Sequence, residues 1–200
     1  WQEEPSLLQT LDDFNLRMAQ TGALLIHYRA HFVEKLRETA PAIHGDFSGG
    51  RERLDLRYET VSSVSDPLGP VKVIFSELLE HQERHRQAEI ASRQCLSGPH
   101  KDDLLVDIDG SPAKTYASQG QTRTAALAMK LAEREIYKNA TGEYPVLLLD
   151  DVLSELDPRR QEFVLNRIAG GQVFITCCED DRLPAMLAGK VLHVHGGSLV

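Results

Sequence analysis

Two adjacent carboxylates, Asp150 and Asp151, follow a run of four apolar residues at positions 146–149. Such a run is typical of a parallel strand covered on both faces, and ligands of open α/β sheets lie beyond the carboxyl ends of the strands. Because carboxylates there can hold Mg²⁺ beside nucleotide phosphates, Asp150 is a candidate magnesium ligand. Asp151 is a candidate for orienting or deprotonating an attacking water. By themselves, two acids after a strand also suit a turn or a cap.

A short polar turn precedes a helix that apolar spacing predicts over residues 122–137. The turn consists of Ser118, Gln119, Gly120 and Gln121. Helix N-termini expose N–H groups and carry partial positive charge, so they bind phosphate, and glycine lets the backbone approach a ligand closely. The turn is therefore a candidate phosphate site, although Ser118 as a plain N-cap explains it more simply.

A third polar segment comes directly after the two carboxylates. It consists of Ser154, Glu155, Leu156 and Asp157. Because Pro158 follows, Asp157 is a favourable N-cap for a helix with proline at its first position. Taken singly, the segment indicates a turn and a cap.

These segments need helices and strands to position them. Apolar spacing predicts a helix over residues 7–37, ended by Pro41 and the glycines of residues 45–50, and a second over residues 71–94 whose polar second half projects from the body. Strands are predicted at residues 54–58, 104–108, 114–117, 146–149, 173–176 and 191–194. The chain changes character near residue 95. This indicates a mainly helical part over residues 1–95 and an α/β part over residues 96–200.

Composition excludes several classes of protein. The 200 residues are 42% hydrophobic and 26% charged, with a net charge of −8, which excludes a disordered chain and a uniformly basic nucleic-acid coat. The three cysteines form no disulfide framework or zinc motif and favour a reducing, cytoplasmic location. No apolar run is long enough to cross a membrane.

The order of the motifs is more specific than any one of them. Together they resemble the C-terminal half of an ATP-binding-cassette (ABC) ATPase head. The segments GPHKDDL, YASQGQTRTAALAMKLAE and PVLLLDDVLSELD are similar to the RecF branch of the DNA-repair ATPases. This resemblance is close over residues 95–176 and looser before them. It implies an α/β fold: the C-terminal part of an ABC-type head, with the fold of P-loop NTPases, joined to a mainly helical lobe.

The resemblance implies a role for each motif. Residues 118–121 would be the signature motif, which contacts the γ-phosphate of ATP bound to the opposite protomer. Asp150 would be the Walker B ligand of Mg²⁺, and Asp151 would be the catalytic carboxylate. Residues 154–157 would form the D-loop at the dimer interface, and Thr176 or Cys177 would lie at the switch position.

The resemblance also implies the wider function. The whole protein would be an ATP-driven homodimer that binds gapped or double-stranded DNA in recombinational repair. Its partners would be recombination mediators of the RecR and RecO type, in the bacterial cytoplasm at the nucleoid.

Two departures from the wider superfamily predict slow hydrolysis. Asp151 stands where glutamate is common, and its shorter side chain would position water less well. The residue directly after Thr176 is Cys177 and not a histidine.

The sequence contains no GxxxxGK[ST] phosphate-binding loop, because its one Gly-Lys pair, Gly189-Lys190, lacks a second glycine at the required offset. We therefore expect a P-loop upstream of Trp1 in the natural chain. The 200 residues alone are expected neither to bind ATP tightly nor to hydrolyse it.

Two other functions stay open. One is the head of another SMC-like chromosome-maintenance ATPase, which the lack of a long heptad pattern in residues 1–95 disfavours. The other is a non-catalytic dimerisation or partner-binding module.

Two further segments are candidates for binding. Arg84 and Arg86 could contact DNA phosphates, although a solvated helix face is the simpler interpretation. His100, Lys101 and Asp102, in a Gly-Pro loop, could lie at an interface.

Overall fold

The computed structural model describes residues 7–153, 156–177 and 189–200. Its helices are α1 (Leu7–Ser48), α2 (Val71–Ser92), α3 (Ala113–Tyr116), α4 (Gln119–Thr141) and α5 (Pro158–Arg167), with a 3₁₀ turn at Pro99–Lys101. Its strands are β1 (Leu54–Glu59), β2 (Asp103–Ile108), β3 (Ser111–Pro112), β4 (Leu147–Asp150), β5 (Val173–Thr176), β6 (Val194–His195) and β7 (Ser198–Leu199). Within these ranges, the helices include none that is both long and apolar enough to cross a membrane.

The first helix passes through Pro41, so the prediction that it ends near residue 37 is wrong. A proline in a helix interior removes a backbone hydrogen bond and costs about 3 kcal/mol. The helix continues because the turns around and beyond the proline bury Ala40, Ile43 and Phe47 in the main core. Tertiary packing therefore outweighs the local preference.

Two glycines end α1. Gly49 and Gly50 both have positive φ, of 65° and 73°. The N–H of Gly50 donates to the carbonyl of Gly45 at 2.7 Å, and that of Gly49 to Asp46 at 3.3 Å. This is the Schellman pattern, and it turns the chain back toward β1.

The polar half of α2 lies against α1, so the prediction that it projects from the body is wrong. His81, Gln82 and Glu89 are all at least nine-tenths buried. Arg86 forms an ion pair with Asp12 of α1. Two of the buried groups have partners that a charge pattern alone does not reveal: His81 Nδ1 lies 2.6 Å from Ser97 Oγ, and Glu89 Oε1 accepts from the Leu96 N–H at 2.7 Å.

The first sheet joins strands from both sides of residue 95. β1 and β2 are antiparallel along their whole length, with Leu54 opposite Ile108. β2 returns as β3 through a two-residue turn at Asp109 and Gly110, both with positive φ. The strand predicted at residues 114–117 is instead the helix α3, because Pro112 has no N–H with which to extend the ladder.

One core spans the predicted boundary near residue 95. Ile43 of α1, Leu56 of β1, Leu131 of α4 and Leu149 of β4 all belong to it and are at most 3% exposed. The division into residues 1–95 and 96–200 stays a prediction about chain organisation, and the two parts share apolar packing.

The second sheet pairs β4 with β5 in parallel, Leu147 opposite Val173 and Asp150 opposite Thr176. One face is buried through Leu147 and Leu149, but Leu148 on the other face is 69% exposed. The prediction of a strand covered on both faces is therefore wrong for this chain.

The strand predicted at residues 191–194 is also wrong in extent. β6 begins only at Val194 and pairs with β7 around Gly196 and Gly197, whose positive φ values form a tight hairpin turn.

The shared core makes a prediction about unfolding. Leu56→Ala leaves a cavity in a site that is fully buried, and we expect a loss of about 2–5 kcal/mol in the free energy of unfolding. Urea unfolding followed by both far-UV circular dichroism and tyrosine fluorescence should show one earlier transition. A second transition that keeps the wild-type midpoint would mean that the two parts unfold separately. Leu148→Ala, at an exposed site, is the matched control and should change the midpoint little.

Candidate functional site

A threonine hydroxyl orders the end of the parallel strand pair. The β4–β5 register places Thr176 beside Asp150, and Thr176 Oγ1 donates to the Asp150 carboxylate. The same Oγ1 accepts from the N–H of Asp151 at 3.0 Å, and the Thr176 carbonyl accepts from it at 3.1 Å. The hydroxyl therefore fixes one carboxylate and the backbone of the next residue together.

Asp151 lies outside the strand, in a left-handed backbone conformation with φ of 52°. A residue with a Cβ seldom adopts positive φ, but aspartate and asparagine do so several times more often than other types. The turn re-aims Asp151 relative to Asp150, and both are exposed. The two carboxylates thus have separate directions, as two separate roles require.

The two acids line a cleft of about 350 Å³ between α4 and the end of β4. Arg123 and Lys130 of α4 supply basic groups to it, and Leu148 supplies an apolar wall. Mg²⁺ prefers oxygen ligands and is usually bound through only one or two carboxylates, with water and phosphate completing its shell. The donor set fits such an ion. Among the described residues no cluster of three or more His, Cys, Asp or Glu side chains forms a fuller metal cage.

The turn at residues 118–121 begins α4 as a capping box. Ser118 Oγ accepts from the N–H of Gln121 at 3.3 Å, and Gln121 Oε1 accepts from the N–H of Ser118 at 2.9 Å. The cap confirms the simpler interpretation of Ser118, and α4 starts at Gln119, three residues earlier than predicted. Gln119 and Gly120 remain exposed in the first turn, where backbone N–H groups point out of a helix.

The start of α5 lies beside this turn. Asp157 caps α5 by accepting from the N–H groups of Arg159 and Arg160, both at 3.1 Å, as predicted. Arg160 pairs with Asp157 at 3.4 Å, and a Cβ on Gly120 would lie 3.8 Å from Arg160 Nη1.

The rest of the Ser154–Asp157 segment is seen only in part. Leu156 is buried, and Ser154 and Glu155 lie outside the described residues. Cys177 follows β5 as an exposed free thiol.

The predicted interface loop contains a buried acid. The Asp102 side chain is only 3% exposed. It accepts from Tyr58, from Thr60 Oγ1 at 2.7 Å and from Arg29 Nη1 at 3.0 Å. Burial and the Asp102 carboxylate raise the pKa of Tyr58, so the phenol stays a donor. Asp102 therefore ties α1 and β1 to the loop.

The other two residues of that loop lie in the 3₁₀ turn. His100 Nε2 lies 3.1 Å from the Cys95 carbonyl, and Lys101 is exposed. These two have the accessible side chains that contact with a partner requires.

The two candidate DNA contacts lie on different sides of α2, because residues two apart in a helix point about 200° apart. The charge of Arg86 is matched by Asp12. Arg84 is 58% exposed and lies 4.0 Å from Glu80, so it is the more accessible of the two.

Sequence reasoning missed two groups near the site, Glu52 and His44. Gln121 Nε2 donates to Glu52 Oε1 at 3.1 Å, and His44 Nε2 lies 3.2 Å from Glu52 Oε2. The available signal was the acidic residue two positions after Gly49-Gly50, where a turn returns the chain to the core.

Comparison with known proteins identifies the relatives of the chain. It is 40% identical over 202 residues to the Bacillus subtilis "DNA replication and repair protein RecF" and 40% identical over 170 residues to its Clostridium kluyveri namesake. These alignments cover 100% and 85% of the chain. A solved structure of "the recombination mediator protein RecF-ATPrS in RecFOR pathway" matches 96% of the chain with a TM-score of 0.80 and 32% identity. The chain is homologous to the RecF proteins.

The RecF comparisons confirm the fold class, α/β with the architecture of an ABC-type ATPase head. A second RecF structure, titled "RecF-ATP", matches 86% of the chain with a TM-score of 0.73 and 34% identity. The chain spans 54% of the Bacillus subtilis RecF and 50% of the chain of the first solved structure, about half of each. No protein-family model matches it.

The buried acid gives a stability prediction for this RecF homologue. Asp102→Ala leaves the half-buried hydroxyls of Tyr58 and Thr60 without their acceptor, and we expect a loss of about 2–4 kcal/mol in the free energy of unfolding. Asp103→Ala, which changes the neighbouring and more exposed acid, is the control and should cost less than about 1 kcal/mol. Equal losses in urea titrations would rule out Asp102 as an anchor.

The buried histidine gives a pH prediction. Burial lowers the pKa of His44 below its ordinary 6.5, and the nearby Glu52 only partly opposes this. Below pH 6.5 the unfolded chain therefore binds a proton that the folded chain refuses, so the free energy of unfolding falls as the pH drops from 7 toward 5.5. The pKa of His81 is also lowered, chiefly by burial, so His44→Gln should reduce this slope without removing it. An unchanged slope in urea titrations across this range would contradict the prediction.

Proposed function

We propose that the chain supplies the signature and Walker B part of a RecF-like, Mg²⁺-dependent ATPase that acts in DNA repair. The observation that carries the proposal is the ordered end of the β4–β5 pair, where Thr176 holds the Asp150 carboxylate. It occurs in a chain whose relatives are named for DNA replication and repair.

The proposed roles follow from the geometry of the acids. Asp150 would hold Mg²⁺, which neutralises developing charge on the transferred phosphoryl group when bound. Thr176, at the switch position, keeps the Asp150 carboxylate in one orientation. Asp151, turned to a separate direction by its left-handed backbone, would orient the attacking water. Cys177 would flank the switch residue without a part in holding Asp150.

We propose that residues 118–121 act across a homodimer interface. The first turn of α4 exposes Gln119 and Gly120 at the positive end of the helix dipole, which favours a phosphate. In the proposed dimer this phosphate belongs to ATP bound by the other protomer, and the segment at residues 154–157 lies at the same interface. The position of Arg160 supports this, because its guanidinium pairs with Asp157 at 3.4 Å and lies 3.8 Å from where a Cβ on Gly120 would be.

The phosphate-binding loop would belong to the part of RecF that this chain does not span. The uncovered face of the β4–β5 sheet supports this, because Leu148 and Phe174 are 69% and 51% exposed, and such parallel sheets are normally covered on both faces. On this proposal, the isolated chain does not bind ATP tightly.

We propose gapped or double-stranded DNA as the nucleic acid and mediators of the RecR and RecO type as partners. Support comes from the RecFOR pathway named for the solved relative. Within the chain, Arg84 is the better-placed phosphate contact, and His100 and Lys101 are the accessible part of the interface loop. The bacterial sources of the relatives support a cytoplasmic, nucleoid-associated location.

Mixed dimers of the whole natural protein test the proposed function. Ser118→Arg should block the signature turn and Asp150→Asn should remove the magnesium ligand, each lowering ATP turnover by about 10²-fold or more. Mixed in equal amounts, the two variants should recover about a quarter of wild-type turnover, because half of the dimers then carry one intact composite site.

The matched control is Asp55→Asn, a half-exposed carboxylate on β1 that pairs with Arg37, which should keep wild-type turnover. Failure of the mixture to recover any activity would contradict the composite site. Wild-type turnover by Asp150→Asn alone would contradict the role of the strand-end acid.

A further inference from the structure

The Gln121 side chain is held at both ends of its amide. Its Oε1 accepts from the Ser118 N–H at 2.9 Å, and its Nε2 donates to Glu52 Oε1 at 3.1 Å. Because an amide is planar, two opposed hydrogen bonds fix its orientation. The orientation of the turn at residues 118–121 therefore depends on where Glu52 lies.

Glu52 is itself fixed by the end of α1. Its N–H donates to Ser48 Oγ at 3.2 Å, and only Arg51 separates it from the glycine turn at Gly49 and Gly50. Its side chain is only 20% exposed. A charge-assisted hydrogen bond to a carboxylate held in this way is stronger than one between neutral groups.

The buried imidazole of His44 lies beside the second oxygen of the Glu52 carboxylate. His44 is fully buried on α1, and its Nε2 lies 3.2 Å from Glu52 Oε2 without the alignment of a hydrogen bond. Burial lowers the pKa of His44, so the ring is neutral near pH 7 and leaves the negative charge of Glu52 directed at the start of α4. A carboxylate is favourable there, because the N-terminus of a helix carries partial positive charge.

We propose that Glu52 is a positioning residue, which acts through Gln121 to set the signature turn for contact with ATP on the opposite protomer. The inference rests on the proposed function, and it adds a residue that lies outside every motif of the ATPase resemblance. It also gives α1 a mechanical connection to the nucleotide site, because Ser48 and His44 both belong to that helix.

The experiment uses the whole natural protein and separates two equilibria. The affinity of a single protomer for a fluorescent ATP analogue is measured at protein concentrations below dimer formation. The dissociation constant of the ATP-bound dimer is then measured by sedimentation. A signature contact made across the interface affects the second equilibrium and not the first.

Glu52→Ala should raise the dimer dissociation constant about tenfold, as expected for losing one charged hydrogen bond. It should leave the protomer's affinity for nucleotide within about twofold. Glu52→Gln keeps an acceptor for Gln121 Nε2 and should recover most of the loss. In a Gln121→Ala background, Glu52→Ala should have little further effect, because residues that act through one contact are not additive.

The control variant is Glu59→Ala, an exposed acid at the far end of β1, which should leave both equilibria unchanged. Ser118→Arg serves as the reference for loss of the signature contact. If Ser118→Arg weakens association and Glu52→Ala does not, the positioning role is wrong and the proposed function stands. If neither variant weakens association, both the positioning role and the proposed function are wrong. A loss of folding stability and nucleotide affinity that Glu52→Gln fails to recover would show a merely structural role and overturn the inference.

Discussion

The packing of α4 against α1 is the interaction on which the rest of the structure depends. Four residues on one face of α4, namely Ala125, Ala128, Leu131 and Ala132, are at most 2% exposed. Three of them are alanines, and such small side chains let two helices approach closely. The two ends of this helix have different contacts: its first turn belongs to the proposed signature segment, residues 118–121, and its later turns contact the end of α5.

A buried arginine connects the later turns of α4 to the end of α5. Arg134 is 2% exposed and donates to the carbonyls of Ile168, at 3.2 Å, and Gly170, both just beyond the end of α5. Its guanidinium also lies 3.9 Å from the ring centre of Tyr144. Arginine suits this position because its planar group carries several donors in fixed directions. Through it, α4 sets the turn that leads into β5, and hence the position of Thr176.

The sequence predicted the segments whose structure is local. Asp157 and Pro158 start α5 as expected, because an N-cap needs only the next three residues. The sequence did not predict that α1 crosses Pro41, that α2 buries Gln82, or that Glu52 contacts Gln121. Each of these depends on contacts between residues far apart in the chain, and the spacing of apolar residues does not predict such contacts. The uncovered face at Leu148 was missed for a related reason, because an apolar run predicts burial without saying which chain supplies the cover.

The capping box at Ser118 also changes how the proposed signature segment, residues 118–121, is understood. A cap and a phosphate site looked like alternatives, but the box uses the N–H groups of Ser118 and Gln121 only. Those of Gln119 and Gly120 point out of the first turn. The cap holds the turn rigid, and a rigid turn presents its remaining donors without an entropic cost on binding. The interpretation of Ser118 as an N-cap is therefore compatible with the proposed phosphate site and supports it.

The geometry at the end of β4 gives a physical basis for the expectation of slow hydrolysis. The one hydroxyl proton of Thr176 is donated to Asp150, and its oxygen accepts from the Asp151 N–H. A hydroxyl in this position fixes geometry, but it has no protonation equilibrium near neutral pH, as an imidazole would. Asp151 also suits the backbone of this turn, because aspartate tolerates the positive φ that the turn requires. Its carboxylate is one methylene shorter than that of glutamate. Both residues therefore give the proposed magnesium site a fixed geometry, which agrees with the slow hydrolysis that the sequence predicts.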